Sequence, residues 1–357
     1  MRPLSLLNDN DVAKAALVIK KILIARRSHM KPKQLKKLLL SEIKLVSENV
    51  NEYCFSEGKD FTRKRKLSFE TVIKTLMGME SKSLSNELIT AFDTEPEMPS
   101  TSAFVQQRYK IKPEAFKAVF DGFTSRLINN TSTELRIFAI DGSDIQIATN
   151  PNDATSYFPG TNGQKPYNLL HLNALYDLNN HIYTDAIIQG GMDKNEHIAL
   201  QEMVDNSDIL KALVIADRGY ESFNSMAHIQ EKGWFFLIRV KDGINGIKNG
   251  LDLPATDCFD ADICLKLTRK QTNEVKELLK DKNHYRFISA TQPFDYLPLK
   301  NKKSDPTVFY ELKFRIVRFP ISKGVYETIV TNLDSTNYSS DELKKLYATR
   351  WGIMPIF

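Results

Sequence analysis

Leu135-Arg136-Ile137-Phe138-Ala139-Ile140-Asp141-Gly142-Ser143-Asp144 is the stretch on which the reading of the fold turns. Six residues rich in branched and aromatic side chains run into an acid and a glycine, which predicts a core strand ending in a turn at Asp141. Downstream, Leu169 to Tyr176 alternates like a strand and stops at the turn-forming residues Asp177 to Asn180. Ile182 to Ile188 reads as a third strand, closed by Gly190-Gly191. Glu196 to Val204 is helical in pattern. Ala212 to Ala216 is wholly apolar, as suits a strand buried on both faces, and it ends at Asp217. Phe223 to Lys232 predicts a helix stopped by Gly233, and Trp234 to Val240 another buried strand. Three strands, then helix, strand, helix, strand predict the α/β class, a mixed sheet with flanking helices.

Outside this centre the character changes on both sides. Leu17, Ile19, Ile22, Leu23 and Ile24 alternate with Lys20, Lys21, Arg26 and Arg27, and Leu35, Leu38, Leu39 and Leu40 with Lys31, Lys33, Lys36 and Lys37. This is the pattern of amphipathic helices. The basic run Arg63 to Lys66 precedes another helical stretch, Phe69 to Phe92. Asp93 to Ser102, with Pro96 and Pro99, reads as a linker, and a short helix follows around Pro113 to Leu127. From Lys241 to Thr331 the pattern is irregular and β-rich, clearest at Phe314 to Phe319 and Tyr326 to Thr331. Lys270 to Lys280 fits a short helix or a further strand, and the whole stretch reads as an inserted subdomain apart from the main sheet. Ser339-Ser340-Asp341-Glu342 is a capping box that opens a last helix.

Composition excludes several classes. The 357 residues carry a net charge of +5, but residues 1–80 hold 17 Lys/Arg against 9 Asp/Glu while the remainder holds 32 against 35. A basic front on a mildly acidic body suits a polyanion such as DNA, and a merely solvated helical face is the plainer alternative. No run of about 18 apolar residues exists, so no membrane partner is expected. Cys54, Cys258 and Cys264 form no even framework, which reads as a reducing cytoplasm. Cys258, Cys264 and His284 are read as structural, with the thiols buried, in preference to a metal site. There is no phosphate-binding Gly-Lys-Ser/Thr loop, no G-x-G-x-x-G after a strand and no H-E-x-x-H.

Asp141 and Asp217 share one context, each following a hydrophobic strand and preceding a small or turn-forming residue. Strand carboxyl ends form a rigid platform where ligands and chemistry collect. Two carboxylates brought together repel unless a cation lies between them, and a hard divalent ion is the natural resolution. Each Asp serving only as a turn cap is the alternative.

Asp141-Gly142-Ser143, Ala216-Asp217-Arg218-Gly219-Tyr220, Thr331-Asn332-Leu333 and Tyr347-Ala348-Thr349-Arg350-Trp351-Gly352-Ile353 occur in this order. Over residues 105 to 353 they resemble the insertion-sequence DDE transposases of the "IS-four" family, which have a β insertion before the last acid. The resemblance implies a ribonuclease-H-like core over 136–240 with the β-rich insertion at 241–331. Around these lie a helical basic DNA-binding region over 1–100, a linker and helix over 101–135, and a C-terminal catalytic helix over 332–357. It implies Asp141 and Asp217 as ligands of two divalent metal ions, Mg²⁺ or Mn²⁺. Tyr347 and Arg350 match the first members of the family's Tyr-Arg-Glu-Lys signature, which handles DNA. From its place after Asp217, Arg218 is a further candidate for phosphate contact, with a plain turn residue the alternative. The implied activity is strand cleavage and transfer at the terminal inverted repeats of an element, by a nucleoid-associated homodimer in a synaptic complex.

One departure stands out. Where the signature has its third acid, four residues after Arg350, this chain has Met354, followed by Pro355 and the last residue, Phe357. A thioether is a poor ligand for a hard cation, and Glu342, twelve residues upstream, lies about 18 Å away along a helix. The expectation is a shortened or frameshifted transposase whose strand cleavage is impaired. The alternative is a non-catalytic, DNA-binding or inhibitory fragment. Asp144 and Glu221 are open as replacement acids. Tyr220 reads as a packing residue or one that contacts DNA, Trp234 as packing, Trp351 as packing or stacking, and His171, His181 and His197 as structural.

Overall fold

The computed structural model describes residues 31–80, 82–93, 98–127, 135–161, 163–241, 246–299 and 309–356, with backbone alone at 354–356. The helix expected around Leu17 to Ile24, residues 94–97 of the linker and the side chain of Met354 lie outside the described residues.

Among the described residues five helices come first: α1 (Pro32–Glu48), α2 (Phe69–Gly78), α3 (Leu84–Phe92), α4 (Thr101–Arg108) and α5 (Glu114–Ser125). The stretch read as one helix from Phe69 to Phe92 is two, because Ser83 caps a new start by accepting the amide of Asn86. Likewise Ser100, read as linker, accepts the amide of Ala103 and opens α4. Serine oxygens satisfy amides that the first turn leaves free, so a polar linker residue doubles as a helix start.

The centre is a mixed sheet: β1 (Arg136–Ile147), β2 (Tyr157–Phe158), β3 (Tyr167–Asp177), β4 (Ile182–Gly190), β5 (Ala212–Ala216) and β6 (Phe235–Arg239). Helix α6 (Glu196–Asp205) joins β4 to β5, and α7 (Phe223–Glu231) joins β5 to β6. β1 pairs antiparallel with β3 and β3 with β4, whereas β1, β5 and β6 run parallel. The fully buried β5 lies between β1 and β6, which accounts for its lack of any polar residue.

The expected turn at Asp141 is not there. β1 continues through it to Ile147, held extended by β3 in the register Asp141↔Ala174 and Gly142↔Asn173. Only the pairing with β5 stops short, at Ala139↔Ile215, so Asp141 projects just past the carboxyl end of the parallel segment.

The stretch 241–331 is β-rich as expected, with β7 (Phe259–Thr268), α8 (Asn273–Leu278), β8 (Tyr285–Phe287), β9 (Tyr310–Ser322) and β10 (Val325–Thr331). Its strands do not stand apart from the main sheet. β10 pairs with β6, and the order β2-β3-β1-β5-β6-β10-β9-β7-β8 is one continuous sheet, with β4 beside β3. The open edge of β6 offers backbone groups that need partners, and β10 supplies them.

Both faces of the sheet are covered. On one, α1 to α5 bury Val72, Ile73, Phe104, Phe116 and Phe120 with Ala139, Leu172 and Ala174 of the sheet. On the same side α9 (Ser340–Ala348) lays Leu343 and Tyr347 on Leu213, Ile215 and Leu237. On the other, Leu200 and Met203 of α6 and Met226 and Ala227 of α7 meet Phe138, Val214, Phe236 and Ile238. Trp234 is core, 1% exposed, its indole N–H donating to the Ile209 carbonyl. Of the cysteines only Cys54 is buried. Cys258 is exposed and Cys264 half-buried, against the expectation of buried structural thiols, because both lie at β7, near the sheet's outer end. No helix among the described residues is long and apolar enough to cross a membrane.

Candidate functional site

Asp141 and Asp217 meet at one end of the sheet because β1 and β5 run parallel and each Asp lies just past their paired segment. Each accepts a local amide that fixes its carboxylate. Asp141 Oδ1 takes the Gly142 N–H at 3.1 Å, and Asp217 Oδ1 takes the Gly219 N–H at 2.7 Å as the cap of a short 3₁₀ turn, Arg218–Tyr220. Burial raises the pKa of Asp141. Arg350 and the Gly142 amide oppose the shift, and the charges of Asp217 and Glu196 add to it. Asp141 thus senses two other carboxylates, one of them unexpected.

Arg350 comes from the far side. Helix α9 ends at Ala348 and tightens into 3₁₀ turns over Thr349–Ile356. The Arg350 guanidinium, 6% exposed, lies 4.7 Å over the exposed Trp351 ring and 3.9 Å from Asp141 Oδ2. That distance is too long for a hydrogen bond, so the attraction is Coulombic. A 3₁₀ segment has three residues per turn, so position 354 does not share a face with Arg350 as it would in an α-helix. Tyr347 is 3% exposed, and burial pushes its phenol up to about 12. Arg218 is exposed beside Asp217.

The two acids left open as replacements have other partners. Asp144 Oδ1 receives His171 Nδ1 at 2.6 Å, and its Oδ2 receives Lys194 Nζ at 3.1 Å. Glu221 accepts the backbone amides of Lys241 and Ile247, tying a loop to the sheet end.

Glu196, read only as the start of a helix, is the acid that reaches the aspartates. A Cβ on Gly142 would lie 2.9 Å from its Oε1, and one on Gly219 would lie 3.0 Å from its Oε2. The neighbouring His171 imidazole is the largest influence holding its pKa low, while burial opposes it. His171 is itself read only as structural, yet its Nε2 lies 3.3 Å from Glu196 Oε1. Burial lowers the His171 pKa, but the hydrogen bonds and charges of Glu196 and Asp144 outweigh it and raise it overall. A Glu at the first position of a helix is commonplace, because the helix dipole favours it, so the sequence carries no signal that marks this one.

Tyr220, next to Gly219, is buried in the apolar cluster of β5 and α7 but feels the charge of the same acids. It is 1% exposed with its hydroxyl unpartnered, and burial raises its pKa well above the ordinary value, helped by Glu196, Asp141 and Asp217. Carboxylate oxygens are hard donors of the kind Mg²⁺ and Mn²⁺ take, and a buried unpartnered hydroxyl near them marks a polar space. Among the described residues no three His, Cys, Asp or Glu side chains converge, as they stand, into a ligating group.

Residues 132–353 match the family model described as "Transposase DDE domain", more than half of the chain. No curated protein matches significantly. Among solved structures the chain is similar to a piggyBac transposase synaptic complex with hairpin DNA. The identity is 11% and the TM-score 0.35, with 95% of this chain and 66% of that chain covered, too loose a likeness to carry residue correspondences.

Proposed function

The chain belongs to the DDE transposase family, and on that premise we propose that it is a metal-dependent DNA strand transferase of the "IS-four" group with a ribonuclease-H-like core. The observation that carries this reading is the meeting of Asp141 and Asp217 at one sheet end, with the Arg350 guanidinium 3.9 Å from Asp141. Strand order supports the core assignment: β1 is flanked by antiparallel β3 and parallel β5, with β6 beyond.

Asp141 and Asp217 would hold the divalent ions, Mg²⁺ or Mn²⁺. Such ions supply charge neutralisation and activation of the oxygen that attacks the phosphodiester. The local amides keep both carboxylates oriented, and the shift on Asp141 is opposed by Arg350. The exposed Arg218 offers a guanidinium fork suited to phosphate oxygens, and the largely buried Arg350, 4.7 Å from the Trp351 ring centre, would bring a second positive charge to the same sheet end. The DNA partner is the pair of element ends, bound by two copies of the chain, with the basic N-terminal helices as a second phosphate-facing surface.

Met354 lowers the expected rate, because a thioether contributes nothing to a hard cation. It also favours a second reading, a chain that binds DNA and cleaves little. Nicking of supercoiled plasmid DNA in Mn²⁺ separates the two. The first reading expects slow nicking that Asp217→Asn abolishes and Met354→Glu accelerates. Identical plasmid profiles for the unaltered chain, Asp217→Asn and Met354→Glu, alongside intact DNA binding, would favour the second.

A further inference from the structure

We infer that Glu196, the first residue of α6, is a further acidic ligand of the cation centre beside Asp141 and Asp217. The inference rests on the reading of the two aspartates as ligands and adds an element of the fold to their site.

Placement is the first argument. The backbone next to each aspartate is a glycine at the point nearest Glu196. Gly142 follows Asp141, and Gly219 lies two residues beyond Asp217. A Cβ at Gly142 would lie 2.7 Å from His171 Nε2 and 2.9 Å from Glu196 Oε1, and one at Gly219 would lie 3.0 Å from Glu196 Oε2. The Gly219 position is also 2.9 Å from Asp217 Oδ1, so one missing side chain lets Asp217 and Glu196 face each other.

The polar surroundings are the second argument. The Tyr220 hydroxyl, almost wholly enclosed and without a hydrogen-bond partner, lies close enough to the same three acids to feel the charge of each. A buried hydroxyl needs a partner, and a cation with its coordinated water would supply one here.

Orientation is the third. His171, with a side chain 3% exposed, bridges Glu196 and Asp144, and Lys194 holds Asp144 from outside. This is how a carboxylate ligand is held by the groups behind it. Asn195 caps α6 by accepting the Ile198 amide, so Glu196 lies at the positive end of a ten-residue helix. A simple Glu196–His171 ion pair would account for Gly142, whose Cβ would lie 2.7 Å from His171 Nε2, but not for Gly219 or the enclosed Tyr220 hydroxyl.

Mn²⁺ titration of the full chain, followed calorimetrically and by the electron paramagnetic resonance of free Mn²⁺, tests this. Glu196→Gln is expected to weaken binding by about tenfold or more, as Asp217→Asn does, since even groups behind a ligand cost that much. Glu202→Gln, which removes the same charge from an exposed site on the same helix, should change it less than about twofold. Where Glu196→Gln does not fold, Fe²⁺-directed radical cleavage of the unaltered chain gives an independent answer. Backbone cuts are expected near residues 141, 196 and 217. Unchanged affinity in Glu196→Gln, or cuts near 141 and 217 without one at 196, overturns the assignment and leaves the two-aspartate reading standing. No Mn²⁺ binding by the unaltered chain overturns both.

Discussion

Gly219 shows how one missing side chain governs the site. Its Cβ would meet two carboxylate ends, not backbone, and its φ lies outside the left-handed region, so Gly219→Ala can be accommodated by moving Glu196 and loosening the Asp217 cap of the turn. The expected outcome is near-wild-type thermal stability with weakened Mn²⁺ affinity, read by a melting curve and a titration on the same sample. A large loss of stability would mean that the turn itself needs glycine. Cys54 carries a prediction of another kind. Burial, reinforced by Asp60, pushes its thiol up to about 12. In the unfolded chain the thiol ionises near its ordinary value, so the unfolded state sheds a proton first as pH rises. Stability is therefore full below about pH 8.5 and falls progressively through the window up to about 12. At pH 8 maleimide should modify exposed Cys258 quickly and spare Cys54, as counted by mass spectrometry of the folded chain. Neither property is written in local sequence, since glycine after an acid and a lone cysteine are both commonplace.

At the scale of elements, the terminal helix has the clearest local code. Ser339 accepts the Glu342 amide, and Glu342 Oε2 accepts the Ser339 amide at 2.7 Å, the capping box expected from Ser339-Ser340-Asp341-Glu342. Ser339→Ala should cost about 0.5–2 kcal/mol in urea unfolding. Because α9 lays Tyr347 on Leu213 and Ile215, fraying it should also loosen Arg350 near Asp141. β5 is equally legible, since a strand buried on both faces must be apolar throughout. β1 is not. Asp141-Gly142 looks like a turn, and only the antiparallel ladder to β3 shows why it stays extended. Backbone pairing with a distant strand overrides a local preference worth roughly 1 kcal/mol. Helix α4 escapes a local reading for the converse reason: Ser100 serves a linker and a helix cap equally well.

For the molecule as a whole, charge distribution is the property most open to test. The run Arg63 to Lys66 is exposed along its length, whereas the centre of the site is acidic. Affinity for an arbitrary DNA duplex should fall linearly in log[salt]. Changing all four basic residues to Ala should flatten that slope by about 0.9 for each phosphate left without its cation. An unaltered slope would remove this run from the DNA-facing surface. By itself the sequence determined the α/β class, the alternation of strands and helices and the DDE transposase family, and it singled out the two aspartates as candidates, because hydrophobic period, turn chemistry and motif order are local. Tertiary structure alone decided that β7 to β10 extend the main sheet. It alone brought Glu196, His171 and Tyr220 around those aspartates. Those outcomes depend on which strand edge finds a partner and which helix start faces which strand end, and both are set by closure over long stretches of chain.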